Sequence, residues 1–110
     1  AQPDYKGVLK GGRSVCFEAK FTETDRMDQK RVTKEQTEAL DAHAKLGAVC
    51  FVVCGFADDS AYCVPWEVWT NMKELFGRLY VTQEDLAQYA VRGDLRVWFL
   101  DRIGEVQKHG

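Results

Sequence analysis

Apolar and polar residues alternate along the first part of the chain. Apolar side chains occupy odd-numbered positions, namely Tyr5, Leu9, Val15, Phe17, Ala19 and Phe21. The even-numbered positions carry Asp4, Lys6, Lys10, Ser14, Cys16, Glu18 and Lys20. A period of two residues is typical of a β-strand with one buried face. The pattern, interrupted by two glycines, therefore predicts a half-buried hairpin with strands over residues 5–10 and 13–21.

The register of this hairpin decides which polar side chains meet. A two-residue loop over residues 11–12 would place the two apolar sets on opposite faces. A three-residue loop over residues 10–12, with its last glycine in the left-handed conformation, keeps them on one face. In that register Asp4 lies opposite Glu18, and Lys20 follows on the same face. We therefore expect two carboxylates and an ammonium group to converge.

This polar face has a chemical interpretation and a plainer one. Two adjacent carboxylates repel each other unless a cation lies between them, and hard oxygen ligands suit Mg2+ or Mn2+. A lysine beside such an ion could orient or deprotonate a water, or offset charge that builds on a phosphoryl group. The plainer interpretation is that an amphipathic hairpin carries acids and lysines on its solvent face whatever its function.

A loop and a helix are predicted after the hairpin. Residues 22–32 are polar and follow neither period, so we expect a loop whose basic residues contact DNA phosphates or are simply solvated. The basic residues of the loop are Arg26, Lys30 and Arg31, and Lys34 follows just beyond it. Thr33 and Gln36 form the capping-box pattern of a helix over residues 34–46, which Gly47 ends.

The following apolar run, residues 48–56, is continuous, which is typical of a central strand covered on both faces. Because a helix separates this strand from the hairpin, the two strands should be parallel, with a right-handed connection. Two aspartates within residues 58–60 are better explained by a turn than by a metal site. A further strand is predicted over residues 61–64, and Pro65 ends it.

The last third of the chain is predicted to be mostly helical. Its first apolar residues are Trp66, Trp69, Leu75 and Phe76. They predict a helix over residues 66–77 whose rings pack in the core or against a partner subunit rather than stack on DNA. Thr82 and Asp85 predict a second, short helix with a capping box. Residues 95–100 are the last strand candidate, and the tail beyond Asp101 is expected to fray.

Length and charge bound the class of protein. A chain of 110 residues with 45% hydrophobic residues suits a single domain over residues 1–110 with a modest core. The net charge is −2, yet residues 1–34 hold eight Lys/Arg against five Asp/Glu, while residues 35–110 hold seven against twelve. The basic part contains the candidate site, which favours the approach of a phosphate backbone there. No hydrophobic run reaches membrane-spanning length.

The cysteines indicate thiols rather than a metal site. Cys16, Cys50, Cys54 and Cys63 lie among apolar residues without a C-x-x-C pair, which predicts buried thiols in a reducing compartment. A zinc site that joins three of them to His43 is disfavoured, because residues i and i+4 of a strand share a face without meeting at one metal. A partly exposed helix histidine is expected instead.

The hairpin residues carry a resemblance to a known family. Pro3-Asp4, then thirteen residues, then Glu18-Ala19-Lys20 resembles the PD-(D/E)xK nuclease motif. The strings DYKGVLKGGR, FEAK, KLGAVCFVV and YCVPWE, together with Gln36, resemble the RecU-type Holliday junction resolvases. Phage relatives and the proteins called penicillin-binding-protein-related factor A are included in that group. The likeness covers residues 3–67 well and the remainder loosely.

The resemblance implies a fold and a reaction. The fold is an α/β restriction-endonuclease-like mixed sheet flanked by helices, and the reaction is metal-dependent hydrolysis of phosphodiesters in four-way DNA junctions. Asp4, Glu18 and the carbonyl of Ala19 would hold Mg2+, or Mn2+ in its place. Lys20 would position or activate the nucleophilic water. Gln36 would support it, since a glutamine at this place in the family points into the active site.

The resemblance also implies partners. DNA contacts are expected from Lys6, Arg13, Arg26, Lys30, Arg31 and Lys34. A four-way junction has two-fold symmetry and needs two coordinated cuts, so we expect a homodimer, in the cytoplasm of a bacterial or phage-infected cell. The family has an N-terminal helix with a further acid and a stalk before the aspartate, which we expect this chain to lack. It would then be a fragment or a minimal relative.

Two other functions stay open at this stage. A VRR-type nuclease directed at flaps or ends shares the same acids, lysine and helix glutamine. A DNA-binding or assembly module could also retain these residues in an idle form, since the family's N-terminal acid is missing.

Overall fold

The computed structural model describes residues 2–94 and residue 96. The strands are β1 (Tyr5–Val8), β2 (Ser14–Thr22), β3 (Arg26–Asp28), β4 (Val49–Phe56), β5 (Ala61–Pro65), β6 (Tyr80–Thr82) and β7 (Ala90–Val91). The helices are α1 (Lys34–Lys45), α2 (Trp66–Thr70) and α3 (Met72–Phe76), with single 3-10 turns at Gln29–Arg31 and Ala87–Tyr89.

Five of the strands form one mixed sheet in the order β1-β2-β4-β5-β7. Strands β2 and β4 are parallel, and the other neighbours are antiparallel. The continuous apolar run is thus the central strand, parallel to the hairpin strand, as the crossover through α1 predicts. Side chains from α1, α2 and α3 share one core cluster with β4 and β5. The arrangement is consistent with a restriction-endonuclease-like fold and confirms the predicted class.

The hairpin has the predicted register. Tyr5 pairs with Phe17 and Val8 pairs with Ser14, which continues to Leu9 opposite Arg13. The Leu9 amide donates to the Arg13 carbonyl at 2.7 Å. The loop is therefore the three-residue one, and both of its glycines have positive φ, 96° at residue 11 and 89° at residue 12. The first strand is two residues shorter than predicted.

The expectation of a half-buried hairpin is wrong for β2. Four consecutive residues, Cys16, Phe17, Glu18 and Ala19, are all buried, so both faces of the strand are covered. Cys16 belongs to the cluster that includes Leu40 of α1, whereas Phe17 and Ala19 pack with Val53 on the other face. The reason is tertiary, because β2 is an interior strand between β1 and β4 and helices pack over its even-numbered face.

Helix α1 begins and ends as its sequence predicts. The Thr33 side chain accepts from the Gln36 amide, and the Gln36 side chain accepts from the Thr33 amide, so the capping box is complete. At the other end Gly47 has a φ of 94°, and the Ala48 amide donates to the His43 carbonyl at 3.1 Å. This pairing is the Schellman arrangement, which satisfies the last carbonyls of a helix.

The segment predicted as a loop contains structure. Instead of a plain loop, residues 22–32 include β3 and a 3-10 turn, and β3 pairs with β6 to form a separate two-stranded ribbon. Met27 and Val81 from the two strands are 0% and 1% exposed and lie in the core cluster beneath the sheet. The ribbon is therefore anchored by buried side chains, which a run of polar residues did not reveal.

The C-terminal helices differ from the prediction in continuity. The helix predicted over 66–77 is broken into α2 and α3 at Asn71, whose side chain donates to the Glu67 carbonyl at 2.8 Å and competes with the helical backbone. Gly77 ends α3 with a φ of 79°, as expected. After Thr82 the two capping bonds with Asp85 form, yet they lead into turns and a 3-10 turn instead of an α-helix.

Three further expectations concern burial and the chain end. Cys16, Cys50 and Cys54 are buried free thiols, but Cys63 is only half-buried and packs at the margin of the cluster on the sheet's second face. The tryptophans pack in the core, since Trp66 is 6% and Trp69 is 1% exposed. None of the described helices is long and apolar enough to cross a membrane. Of the strand predicted over residues 95–100, residue 95 and residues 97–100 lie outside the described residues.

The hairpin loop can be tested by one substitution. Gly12→Ala should lower the free energy of unfolding by about 1 kcal/mol, because its φ of 89° is unfavourable for a residue with a Cβ. Crowding adds nothing, since a Cβ there meets no atom within 4 Å. Urea unfolding measures the change, and Lys10→Ala in the same loop is the control that should leave stability unaltered. Equal stability of Gly12→Ala and the parent would contradict the loop conformation.

Candidate active site

The two acids of the hairpin meet at the beginning of the sheet. Asp4 immediately precedes β1, and the strand register places it opposite Glu18 of β2. An Asp4 carboxylate oxygen, Oδ2, accepts a hydrogen bond of 2.9 Å from the Ala19 amide. Asp4 is exposed while Glu18 is buried, so the pair runs from the surface into the core.

The Glu18 carboxyl is in an unusual electrostatic environment. Its residue is 0% exposed, and in the described part of the chain neither carboxylate oxygen accepts a bond from a fixed donor. Asp4 can share a hydrogen bond with it only when one of the two carboxyls carries a proton. Burial first, and then the hydrogen bond and negative charge of Asp4, raise the pKa of Glu18 to about 8.

Lys20 faces the same point. It lies two residues beyond Glu18 on β2, so both side chains project from one face of the sheet. The positive charge of Lys20 opposes the rise in the pKa of Glu18, so the ammonium group favours the ionised carboxyl. Lys20 is half-buried and reaches solvent. The structure thus brings together Asp4, Glu18 and Lys20.

A backbone carbonyl joins these groups. The N–H and C=O of one strand residue point to the same edge, and the Ala19 N–H points to Asp4. The Ala19 carbonyl is therefore directed to the side of β2 that faces Asp4. Among the described residues no cluster of three or more His, Cys, Asp or Glu side chains could hold a metal. Two carboxylates and a carbonyl suit Mg2+, which is usually held by one or two protein carboxylates and keeps several waters.

Gln36 has a structural partner. Its side-chain oxygen accepts from the Thr33 amide at 3.0 Å, and its own amide donates to the Thr33 hydroxyl at 3.2 Å. The capping box therefore occupies the side-chain oxygen. Any contact of Gln36 with the acids would have to come from its Nε2 amide group.

Two of the basic residues named from the sequence donate hydrogen bonds to backbone carbonyls. The Arg13 guanidinium donates to the Gly47 carbonyl at 3.2 Å and links the hairpin to the end of α1. Arg31 donates to the Phe21 carbonyl at 2.7 Å, one residue beyond Lys20. Each of these arginines keeps further N–H groups for other partners.

The remaining basic residues are exposed. Lys6 pairs with Cys16 in the hairpin register, and its ammonium donates to Gln2 at 2.7 Å. Lys30 and Lys34 are exposed on either side of the α1 cap. Arg26 contacts Asp28 at 3.3 Å.

Other polar residues considered from the sequence lie outside this site. Asp58 accepts from the Ser60 amide at 3.1 Å, and this bonding lowers the pKa of Asp58, as a turn predicts. Asp59 has the positive φ of a turn residue, 65°. His43 is half-buried near the end of α1, in agreement with the expected partly exposed histidine.

Tyr80 of the ribbon and Arg78, two residues before it, were not singled out from the sequence. Tyr80 of β6 has the Arg26 guanidinium 4.4 Å from its ring centroid and the Arg78 guanidinium 4.7 Å away. Arg78 also forms a 2.6 Å salt bridge with Asp85. The Arg-x-Tyr spacing at residues 78–80 could have indicated the contact between Arg78 and the Tyr80 ring. The contact with Arg26 could not be predicted, because Arg26 lies far away in sequence.

An acid before an edge strand, a second acid on the adjacent strand and a lysine two residues later form the arrangement that the resemblance to the PD-(D/E)xK class predicts. The sequence comparisons identify the family within that class. The family model of recombination protein U (RecU) matches residues 1–101, and the chain belongs to this family. The match extends beyond the residues that carry the motifs and supports a RecU-type Holliday junction resolvase. No curated protein matches the chain.

The environment of Glu18 predicts a pH-dependent stability. With a folded pKa of about 8 and an ordinary value of 4.5, the folded state binds more protons than the unfolded state between these values. Its contribution is therefore favourable at low pH and is lost as pH rises from about 4.5 to about 8. We expect a loss on the order of 3–5 kcal/mol across this window in the metal-free protein.

Urea unfolding in a chelator from about pH 3.5 to about pH 9, one unit beyond each end of the window, measures this loss. Glu18→Gln should remove the slope, because an amide has no proton to lose. Glu38→Gln, at an exposed position of α1, is the matched control and should retain the parent slope. Parallel pH profiles for the parent and Glu18→Gln would refute the raised pKa.

Proposed function

We propose that this chain is a divalent-metal-dependent endonuclease that resolves four-way DNA junctions by phosphodiester hydrolysis. The supporting observation is the buried Glu18 carboxylate opposite Asp4, which receives no hydrogen bond from a fixed donor among the described residues. Ionising a buried carboxyl beside a second acid is costly, and a bound cation is the partner that would favour the ionised pair over the protonated one.

The donor set fits Mg2+, or Mn2+ in its place. Asp4 and Glu18 would hold the ion through their carboxylates, and Ala19 through its carbonyl. A bound divalent ion supplies Lewis-acid stabilisation of the phosphoryl oxygens and a water that ionises more readily. The chain's own contribution is to fix these ligands on paired strands, so that no reorganisation of the backbone is needed during the reaction.

Lys20 and Gln36 act next to the acids in this proposal. The Lys20 ammonium, on the same face as Glu18, positions or activates the attacking water and offsets negative charge at the phosphate. Gln36 supports that water through its Nε2 group, because its oxygen is held by the α1 cap.

DNA binding and assembly complete the proposal. Lys6, Arg13, Arg26, Lys30, Arg31 and Lys34 supply the phosphate contacts. Two symmetric cuts require two sites, so the active form is a homodimer. The enzyme acts in the cytoplasm of a bacterial or phage-infected cell.

Junction cleavage tests the proposal directly. In Mg2+ the parent should cut a synthetic four-way junction with symmetric paired nicks, and a chelator should abolish the cuts. Glu18→Gln and Lys20→Ala should each lower the cleavage rate by at least about 100-fold, in the range found when a group that stabilises transition-state charge is removed. Lys10→Ala, in the exposed hairpin loop, is the control that should cleave normally.

The outcomes separate the alternatives. Single cuts on flaps without junction cleavage would favour a flap- or end-directed nuclease. Binding that persists in a chelator, without cleavage in either Mg2+ or Mn2+, would refute the catalytic proposal and favour an idle DNA-binding module.

The role of Gln36 is separable from its cap. Gln36→Glu should preserve helix stability, because glutamate also completes a capping box, but should lower cleavage about tenfold by removing the amide donor. Thr33→Ala should do the opposite, with a loss of about 1 kcal/mol in stability and near-normal cleavage by the folded protein. Unfolding and cleavage assays on both variants measure this. Normal cleavage by Gln36→Glu would exclude a role in the reaction.

A further inference from the structure

The β3–β6 ribbon borders a groove of about 380 Å³ whose lining is basic. Its charged lining residues are Arg26, Lys30 and Arg78 against the single acid Asp28. The remaining lining residues are Gln29, Leu79 and Tyr80. The turns that flank the ribbon also carry the acids Glu23, Asp25, Glu84 and Asp85, so the excess of positive charge is confined to the groove. The groove therefore combines this local excess with a concave shape.

The two ribbon arginines have different partners. Arg78 donates to the Phe76 carbonyl and to Asp85, each at 2.6 Å, and contacts the Tyr80 ring. These bonds fix Arg78 as part of the ribbon. Arg26 uses only its Nε, against Asp28 at 3.3 Å, and its side chain is 51% exposed. Within the described residues no hydrogen bond engages its two terminal nitrogens.

Tyr80 holds Arg26 in one orientation. The Arg26 guanidinium lies 4.4 Å from the Tyr80 ring centroid, a distance at which a cation is attracted to the ring. A guanidinium held in this way loses less rotamer entropy when it binds an anion, and its planar fork matches a phosphate group. The ring itself is already contacted by two guanidiniums, so base stacking is not what this surface offers.

The ribbon is rigidly connected to the acid pair. Strand β2 ends at Thr22, two residues after Lys20, which is about 7 Å along an extended strand. The Thr24 hydroxyl contacts the Thr22 hydroxyl at 2.9 Å and donates to the Arg26 carbonyl at 2.9 Å. These bonds fix the turn between β2 and β3, and Met27 anchors β3 in the core.

We propose that this ribbon is a preformed clamp for the phosphate backbone of a duplex arm of the DNA substrate. Arg26 and Lys30 contact the phosphates, while Tyr80 is a positioning residue that holds the Arg26 guanidinium. The proposal rests on the proposed nuclease function and adds to it the place where a duplex arm binds and the role of Tyr80. The loop expected over residues 22–32 is thereby replaced by an ordered ribbon that follows the strand carrying Glu18 and Lys20.

Fluorescence anisotropy with a labelled four-way junction and a matched linear duplex, in a chelator and over a range of salt concentrations, tests the clamp. The Arg26→Gln/Lys30→Gln double variant should weaken binding to both DNAs by about tenfold and reduce the salt slope by about two. Lys45→Gln, at the far end of α1, is the single-charge control and should bind with the parent's affinity and slope. Because Arg26 and Lys30 are exposed, the double variant should fold normally.

Tyr80 variants distinguish positioning from a merely structural role. Tyr80→Phe keeps the ring and should bind DNA like the parent, whereas Tyr80→Leu should weaken binding about as much as Arg26→Gln. Combining Tyr80→Leu with Arg26→Gln should cause little additional loss, because both changes remove the same contact. Additive losses, or equal binding by Tyr80→Leu and the parent, would overturn the positioning role.

The parent's cleavage of the junction in Mg2+ is measured alongside. If the parent cleaves and the Arg26→Gln/Lys30→Gln variant binds with unchanged affinity and salt slope, the clamp is wrong while the nuclease function stands. If the parent neither binds nor cleaves any of the DNAs, both proposals are overturned. Weaker binding by the double variant together with cleavage by the parent supports both.

Discussion

The candidate active site depends on one carboxyl group, that of Glu18, which is buried in an interior strand directly opposite a second acid. The hairpin register sets this opposition, and the three-residue glycine loop sets the register. Strand β4 and the helices then enclose the strand that carries Glu18. Lengthening or shortening the loop by one residue would shift the register, so that Asp4 and Glu18 would no longer face each other.

This arrangement is unfavourable for the fold by itself. Burial and the nearby Asp4 charge both oppose ionisation of Glu18, and Lys20 offsets them only in part. Proteins retain such groups mainly at sites where the opposed charges act on a ligand or a substrate. The chain belongs to the RecU family, which supports a Holliday junction resolvase, and in the proposed function a cation and a DNA phosphate would be that ligand and substrate. The apolar core of the fold offsets the free-energy cost of burying this pair of acids.

Local patterns predicted much of this, and long-range contacts account for what they missed. The hairpin loop, the α1 cap and the central strand followed from glycines, a capping box and an apolar run, all of which act within a few residues. The burial of Glu18 depends on helices that pack from elsewhere in the sequence, so its strand was wrongly expected to be half-buried. The β3–β6 ribbon was missed because it pairs two short, polar segments distant in the chain. The contact between Arg26 and Tyr80 depends on that same pairing.

The most direct measurement is a carbon-13 NMR titration of the Glu18 side-chain carboxyl, in the absence of DNA, with and without Mg2+. Without the ion, the carboxyl should titrate with a pKa near 8, far above its ordinary value. With saturating Mg2+, that pKa should fall by several units, because a bound cation favours the ionised form. An ordinary pKa in both conditions, or a raised one that Mg2+ leaves unchanged, would contradict the view that Asp4 and Glu18 together form a cation site.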